Sequence, residues 1–405
     1  MPERPPRAAR GVTTTLRLRR REERRLLAGH LWVFSNEIDT AATPLKGLEP
    51  GAPVRIESDR GRFLAHAYAN PASLIAARVT SRREGRPFDA TLLRRRLSEA
   101  LALRTARYAE PFYRWVHGEG DFLPGLVVDR FGDALVVQIT TAGMERRREE
   151  LVGTLAELVG ARSITLANDL AVRALEGLPQ VREQALGTAP ERLLVRENGL
   201  SFTVPAGVDQ KTGWFYDHRE SRAALRHWTH GARVLDVYGY IGAFGLNAAA
   251  GGARDVLSVD ASAAAVEAGE ANARANRLEG VFEARKDDAV ETMRALAEAN
   301  ERFDVVVLDP PAFVKRKKDL EAGLRHYALN NRLALRLLAP GGILLSASCS
   351  QPVDEAMLVG TLRRSVPKGA TGLQLLGTLR QAADHPVHAA MPETAYLTGA
   401  IARLL

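Results

Sequence analysis

Residues 233–260 read RVLDVYGYIGAFGLNAAAGGARDVLSVD, and the fold of the whole chain turns on them. Arg233 to Val237 is a β-type run that carries Asp236. A loop with Gly239, Gly242 and Gly245 follows, then a helical run, then a second strand ending in Asp260. Strand, glycine loop, helix, strand and a terminal acid make a βαβ unit of the kind that holds a nucleoside-containing ligand. The glycines let the backbone approach the ligand with no Cβ in the way. Asp260 is placed to accept hydrogen bonds from ribose hydroxyls.

The loop spacing is G-x-x-G-x-x-G, whereas a dinucleotide site favours G-x-G-x-x-G. A pyrophosphate would also sit badly beside Asp236, while a cationic methionine group is attracted to that carboxylate. S-adenosyl-L-methionine is therefore the expected cofactor, with NAD the alternative and a loop without a ligand the bland reading. Tyr238, Gly239, Gly242 and Phe244 in the loop and Ala261 after Asp260 complete the candidate binding set.

Alternating strands and helices continue to the end of the chain. ASAAAVEAGEANARANRL (261–278) is helical, and VFEARKDDAVETMRALA (281–297) supplies a strand and a helix joined at Asp287 and Asp288. FDVVVLDPPAFVKRKKD (303–319) is an apolar strand ending in Asp309-Pro310-Pro311. The strand ILLSASCS (343–350) follows a helix at 319–338 and a Pro340-Gly341-Gly342 turn, and it brings Cys349 to the same rim as Asp309. Ligands of such sheets bind outside the carboxyl ends of the strands, so Asp309 sits where cofactor and target should meet. The order of elements from about residue 200 onward is that of a Rossmann-like, class I methyltransferase domain.

Composition bounds the rest. The chain has 405 residues, 46% hydrophobic and 26% charged, enough for two or three domains with a sizeable core. Its net charge of +8 is carried mostly by arginine, which suits a polyanionic partner such as RNA. One cysteine excludes an internal disulfide framework and a cysteine-rich zinc site, so no metal is assigned. No long apolar run predicts a membrane span, and MPERPPRAAR lacks the apolar core of a secretory signal; a cytoplasmic protein is expected.

Residues 1–12 are expected to be a disordered tail rich in proline and arginine. Residues 13–82 show several short strands, which predicts a small β-barrel decorated by Arg17, Arg19, Arg20, Arg21, Arg24, Arg25, Arg55, Arg60, Arg62 and Arg78. Those charges are either a solvated surface or contacts to RNA phosphates. Residues 83–195 predict a middle α+β domain: an amphipathic helix at 89–108, two strands within 112–143, a helix at 144–159, and strands around SITLAN and LLVREN. His117, Glu119 and Asp121 lie close together there, and a turn tied by its own side chains explains them better than catalysis does. Residues 196–405 form the expected methyltransferase domain.

GHLWVFSNEI (29–38) and YANPASLIAARV (68–79) resemble the PUA domain of bacterial ribosomal RNA methyltransferases. HGEGDFLPGLVVDRFGD and NDLAVRALEGL resemble the middle domain of the same family. With the glycine loop, LDPPAF and SASCS, the chain from about residue 13 onward resembles the RlmI-like family of 23S ribosomal RNA cytosine-5 methyltransferases. The resemblance implies 23S ribosomal RNA of the large subunit as partner, a homodimer, and Cys349 and Asp309 as catalytic residues. It further implies cofactor contacts from Asp288 or Asp287 at the adenine, from Asp309 and Pro310, and from Gln210 and Phe215 in QKTGWFYDHR. Lys211 and Arg219 of that phrase have a helix-entry role as an equal reading.

The chemistry gives Cys349 a reason to be there. Carbon 5 of cytosine is not nucleophilic until a thiolate adds at carbon 6, and only the thiolate form can do so. Many RNA cytosine-5 enzymes carry a second cysteine just after the aspartate-proline motif; here Pro311 and Ala312 stand in that place, so product release needs another group. Two other readings stay open. One is a same-fold methyltransferase acting on an exocyclic amine without covalent catalysis. The other is a non-catalytic RNA-binding factor in ribosome assembly.

Overall fold

The computed structural model describes residues 14–205 and 212–405. The expected tail, Gln210 and Lys211 lie outside the described residues. Among the described residues, sheets of five, five and seven strands follow one another, with a two-stranded hairpin before the last.

The first sheet comprises β1 (Thr14–Arg17), β2 (Trp32–Val33), β3 (Ala52–Glu57), β4 (Phe63–Ala69) and β5 (Ala77–Ser81), in the order β1-β3-β4-β5-β2. Its two ends curl together: the Arg19 N–H donates to the Glu37 carbonyl at 2.8 Å and the Asp39 N–H to the Arg17 carbonyl at 2.9 Å. Leu16, Val33, Val54, Ile56, Ala67 and Val79 fill the interior. Arg19, Arg20, Arg21, Arg24, Arg60 and Arg62 are exposed as expected. Arg78 is not. It is buried with its Nη1 2.9 Å from Glu176, and Asn70 donates to the same carboxylate at 2.8 Å. A buried carboxylate must be paired and hydrogen-bonded, so the NPASLIAAR phrase docks this domain onto the next.

The second sheet contains β6 (Phe112–His117), β7 (Leu126–Phe131), β8 (Ala134–Ile139), β9 (Ser163–Ala167) and β10 (Arg182–Leu186), ordered β10-β9-β8-β7-β6. The stretch expected to hold two strands holds three, because FYRWVH pairs along β7 and buries Tyr113 and Trp115. Helices Ala90–Arg107 and Arg148–Val159 contribute Leu93, Leu97, Leu151 and Leu155 to the same core. The polar turn after β6 is structural: Asp121 takes the His117 N–H at 2.6 Å and both Nη atoms of Arg104, while Glu119 accepts from Trp32 Nε1 at 2.8 Å.

The hairpin β11 (Arg192–Glu197) and β12 (Leu200–Pro205) leads into β13 (Arg233–Val237), β14 (Asp255–Asp260), β15 (Phe282–Lys286), β16 (Phe303–Leu308), β17 (Leu338–Ser348), β18 (Leu373–Arg380) and β19 (Thr398–Leu404). Their order is β15-β14-β13-β16-β17-β19-β18. The first five are parallel and β19 runs antiparallel to both neighbours. β16 is an almost continuous apolar run because helices cover both faces of the parallel part. Pro340–Gly342 is not a turn ahead of the strand. It bulges out of β17, with Gly341 at φ +79, between the pairing of Leu338 and that of Ile343.

Glu197 ties the hairpin to the segment before β13. Its carboxylate, 3% exposed, accepts from Arg222 Nε at 2.5 Å, Arg219 Nε at 3.3 Å and Trp214 Nε1 at 3.1 Å. Arg219 also donates to the Phe112 carbonyl, so its role is structural. Glu197→Ala would strand two buried guanidinium groups, a loss of about 3–5 kcal/mol. The thermal midpoint is expected to fall by several degrees, and calorimetry showing an unchanged midpoint would refute this.

Candidate active site

The carboxyl ends of the five parallel strands carry the candidate residues in a row. Across the sheet the order is Asp287 and Asp288 after β15, Asp260 ending β14, the glycine loop after β13, Asp309 after β16 and Cys349 after β17. Adjacent strands are about 4.8 Å apart, so the row spans about 19 Å. The strand order reverses between β13 and β16, which makes their carboxyl ends the switch-point crevice.

Asp236 builds the glycine loop. It is fully buried, and its Oδ2 accepts the Gly245 N–H at 2.9 Å and the Ser258 hydroxyl at 3.1 Å. A Cβ on Gly239 would lie 2.0 Å from Ser258 Oγ and 2.9 Å from Asp236 Oδ2, so glycine is required there by crowding. Gly242 takes φ +80 against the Phe282 ring. Tyr238 and Tyr240 also have positive φ, 67 and 51, unusual for bulky residues and a sign of local strain. Hydrogen bonds hold both: Tyr238 donates to Asn330 Oδ1 at 2.7 Å and Tyr240 to the Gly213 carbonyl at 3.0 Å.

Burial pushes the Asp236 carboxyl up to about 7, against the downward pull of Gly245 and Ser258. Its Oδ1 is buried without a hydrogen-bond partner. Such an atom costs free energy unless something satisfies it, and a cationic methionine group has the right charge. This orphaned oxygen is the observation on which S-adenosylmethionine fits the site.

Asp260 is engaged at both oxygens, by the Tyr240 N–H and the Ser262 N–H, each at 2.9 Å. These two backbone contacts fix its position. Asp288 caps the helix Ala289–Glu298, its Oδ1 accepting from Val290 and Glu291, and Asp287 Oδ1 accepts from the Asp288 N–H. Both acids are exposed at the end of the row, as is Ala261 beside Asp260. Phe215 stands edge-on to Tyr240, 5.6 Å between centroids, at the mouth of the loop. Phe244 lies elsewhere. Its helix turns the ring into the core, 4% exposed, where it packs against His218 rather than lining an open site.

Asp309 is part-exposed and Pro310 is buried behind it. His218 Nε2 stands 3.1 Å from Asp309 Oδ1. Cys349 is part-exposed at the strand end, between buried Ser348 and Ser350. The Tyr327 hydroxyl lies 2.8 Å from both serine oxygens, and Ser350 Oγ accepts the Val314 N–H at 3.0 Å. That buried chain fixes the strand end bearing Cys349 to the loop bearing Asp309. Lys315, Arg316, Lys317 and Lys318 on the same loop are exposed. Among the described residues no cluster of side chains could hold a metal ion, and no helix is long and apolar enough to cross a membrane.

Reading the sequence missed His218, Tyr240, Tyr327 and Asn330. Only His218 had a signal, its place in the DHR phrase, since each acts through a partner distant in the chain.

Because a cation binds the ionised carboxyl, affinity for S-adenosylmethionine should weaken as pH falls below about 7 and level off above it. Asp236→Asn should remove that dependence and cost about 1.5–3 kcal/mol of binding, the worth of a hydrogen bond to a charged group. Titration calorimetry from pH 6 to 8.5 measures both, and a variant binding as tightly as wild type would refute the assignment.

Comparison with known proteins agrees with this geometry. Residues 16–82 match a PUA-like domain and residues 116–390 an S-adenosylmethionine-dependent methyltransferase domain. Proteins named ribosomal RNA large subunit methyltransferase I from Erwinia tasmaniensis and Yersinia pseudotuberculosis are 36% and 37% identical, over 97% of this chain and 100% of theirs. A Streptococcus mutans protein described as a SAM-dependent methyltransferase shares the fold, with TM-score 0.81 and 21% identity over 96% of this chain and 100% of its own. A methyltransferase structure complexed with SAH matches equally, again with TM-score 0.81, 21% identity and the same coverage of both chains. The expected PUA-type, class I architecture is thereby met: this chain belongs to the ribosomal RNA large subunit methyltransferase I family of S-adenosylmethionine-dependent methyltransferases, with an N-terminal PUA-like domain.

Proposed function

We propose that this protein methylates carbon 5 of a cytosine in the 23S RNA of the large ribosomal subunit, with Cys349 as covalent nucleophile at carbon 6. The relatives named as large-subunit ribosomal RNA methyltransferases support the RNA class. One observation carries the finer reading: the chain's sole cysteine stands at the carboxyl end of β17, the strand beside the one that ends at Asp309.

S-adenosylmethionine, when bound, supplies an electrophilic methyl group. Asp236 would face its cationic end, Tyr238, Gly239, Gly242 and Phe215 would shape the loop around it, Asp260 would meet the ribose, and Asp288 or Asp287 would meet the adenine. Gln210 is carried over from the family resemblance. The Cys349 thiolate adds to carbon 6, and the electrons of the 5,6 double bond shift into a 4,5 double bond. Those of the 3,4 bond move onto nitrogen 3, which takes a proton from Asp309 or solvent, so that carbon 5 becomes enamine-like. Asp309 hydrogen-bonds the ring nitrogen and amino group and stabilises that adduct. After carbon 5 is methylated, its proton leaves to a base, the double bond re-forms and the carbon–sulfur bond breaks, regenerating the thiolate. The part-exposed setting of Cys349 suits a group that must meet a base flipped out of its stack.

The exposed arginines at the end of β1 and the Lys315–Lys318 run supply phosphate contacts. Reversing the charges of residues 315–318 should weaken RNA binding and flatten its salt dependence by about 0.7–0.9 in log–log slope per lost phosphate contact. Cofactor affinity should not change. An unaltered salt slope would remove the loop from the interface.

Cys349→Ala decides the chemistry. With ribosomal RNA tritiated at cytosine carbon 5, tritium release should drop to background while S-adenosylmethionine binding persists. Release at the wild-type rate would rule out the covalent route, and methylated RNA retaining its tritium would favour the exocyclic amine.

A further inference from the structure

We infer that His218 is a positioning residue for this transfer: its Nε2 grips Oδ1 of Asp309 and leaves the second carboxylate oxygen to engage the target base. The inference rests on the proposed role of Asp309 and adds a residue to it.

The ring is clamped for the task. His218 is 3% exposed and packs edge-on against Phe244, with centroids 5.3 Å apart at 68°. On one side Asp217 is fixed by the Tyr396 hydroxyl at 2.5 Å and by the Ala382 N–H, which donates to its carbonyl at 2.9 Å. On the other side Arg219 and Arg222 are fixed on Glu197. The imidazole is therefore held from the C-terminal part of the chain and from β11 at once.

Its partners point to function. Nδ1 is buried without a hydrogen-bond partner, so the ring's polar contact is the one to Asp309. Asp309 itself is 23% exposed on its side chain, so the pair runs from the core to the rim where substrate arrives. A support that locks a reacting group's rotamer is what precise catalysis needs, and a misplacement of about 1 Å costs about a hundredfold in rate.

The charges facing the ring are Asp309 on the loop after β16, Asp217 beside it and Arg222 on its own helix. Burial disfavours the imidazolium, but Asp309 and Asp217 outweigh burial and Arg222, and the ring's proton affinity is raised. The charged pair is thus complete below the ordinary histidine range, and is lost as pH rises through the raised value.

The test compares His218→Phe and His218→Gln with wild type. It measures label transferred from methyl-labelled S-adenosylmethionine to ribosomal RNA, kcat and KM from pH 6 to 9, and S-adenosylhomocysteine binding by calorimetry. His218→Phe should lower kcat by about a hundredfold with cofactor-product affinity retained. His218→Gln, which keeps a donor near Nε2, should recover part of the rate and lose the alkaline fall expected of wild type. A His218→Phe kcat close to wild type, or an unchanged alkaline limb in His218→Gln, overturns the inference. If His218→Phe no longer binds S-adenosylhomocysteine, the His218→Gln profile decides. Label incorporation is blind to which base atom is methylated, and nucleoside analysis of the product reports separately on carbon 5.

Discussion

Two hydrogen bonds onto one oxygen of Asp236 organise the catalytic half of the molecule. The Gly245 N–H and the Ser258 hydroxyl converge on Oδ2, joining β13, the helix after the loop and β14 at a fully buried point. The loop between must then pass so close to the carboxylate that Gly239 cannot carry a side chain, and Tyr238 and Tyr240 on either side are forced into left-handed conformations. The cost appears in the carboxyl itself, which burial raises to about 7. The return is a second oxygen with no partner in the protein. A site that keeps a buried acceptor unsatisfied is incomplete until a cation fills it, and the methyl donor of this family carries that charge.

From that point the sheet sets the distances. Parallel strands end on one rim, so acids on successive strands meet successive parts of an extended ligand. The row of rim residues continues to Asp309 and Cys349. The Tyr327, Ser348 and Ser350 hydroxyls and the Val314 N–H tie these last two strand ends together, and His218 contacts Asp309 at 3.1 Å. The other domains brace this arrangement. The Tyr216 hydroxyl donates to the Arg130 carbonyl at 2.8 Å, and Arg219 reaches the Phe112 carbonyl, so the segment that carries His218 is pinned to the middle domain as well as to the central sheet.

What the sequence made legible was periodic or locally punctuated. Apolar runs followed by glycine or by Asp-Pro-Pro marked β13 and β16 because a sheet covered on both faces leaves no alternation to confuse them. Cys349 and Asp309 could be read as rim residues for the same reason. Interactions across the chain left no such trace. Arg78 looked like one more surface charge until Glu176 was seen beside it, and Phe244 looked like a loop residue until its helix turned it inward. His218 carried no mark of its partner, which arrives on a strand laid down much later. β6 was missed because Phe112, Tyr113, Trp115 and Val116 form no clean apolar–polar alternation, four of its six residues being buried.

The central claim, that Cys349 becomes covalently joined to cytosine, is tested most directly by trapping the adduct. Ribosomal RNA in which cytosine carries fluorine at carbon 5 cannot lose a proton there, so the enzyme–RNA bond should persist after methylation. Digestion and peptide mass mapping should then find the modified nucleotide on the peptide containing Cys349. Absence of any adduct under conditions where ordinary RNA is methylated, or an adduct on another residue, would contradict the account.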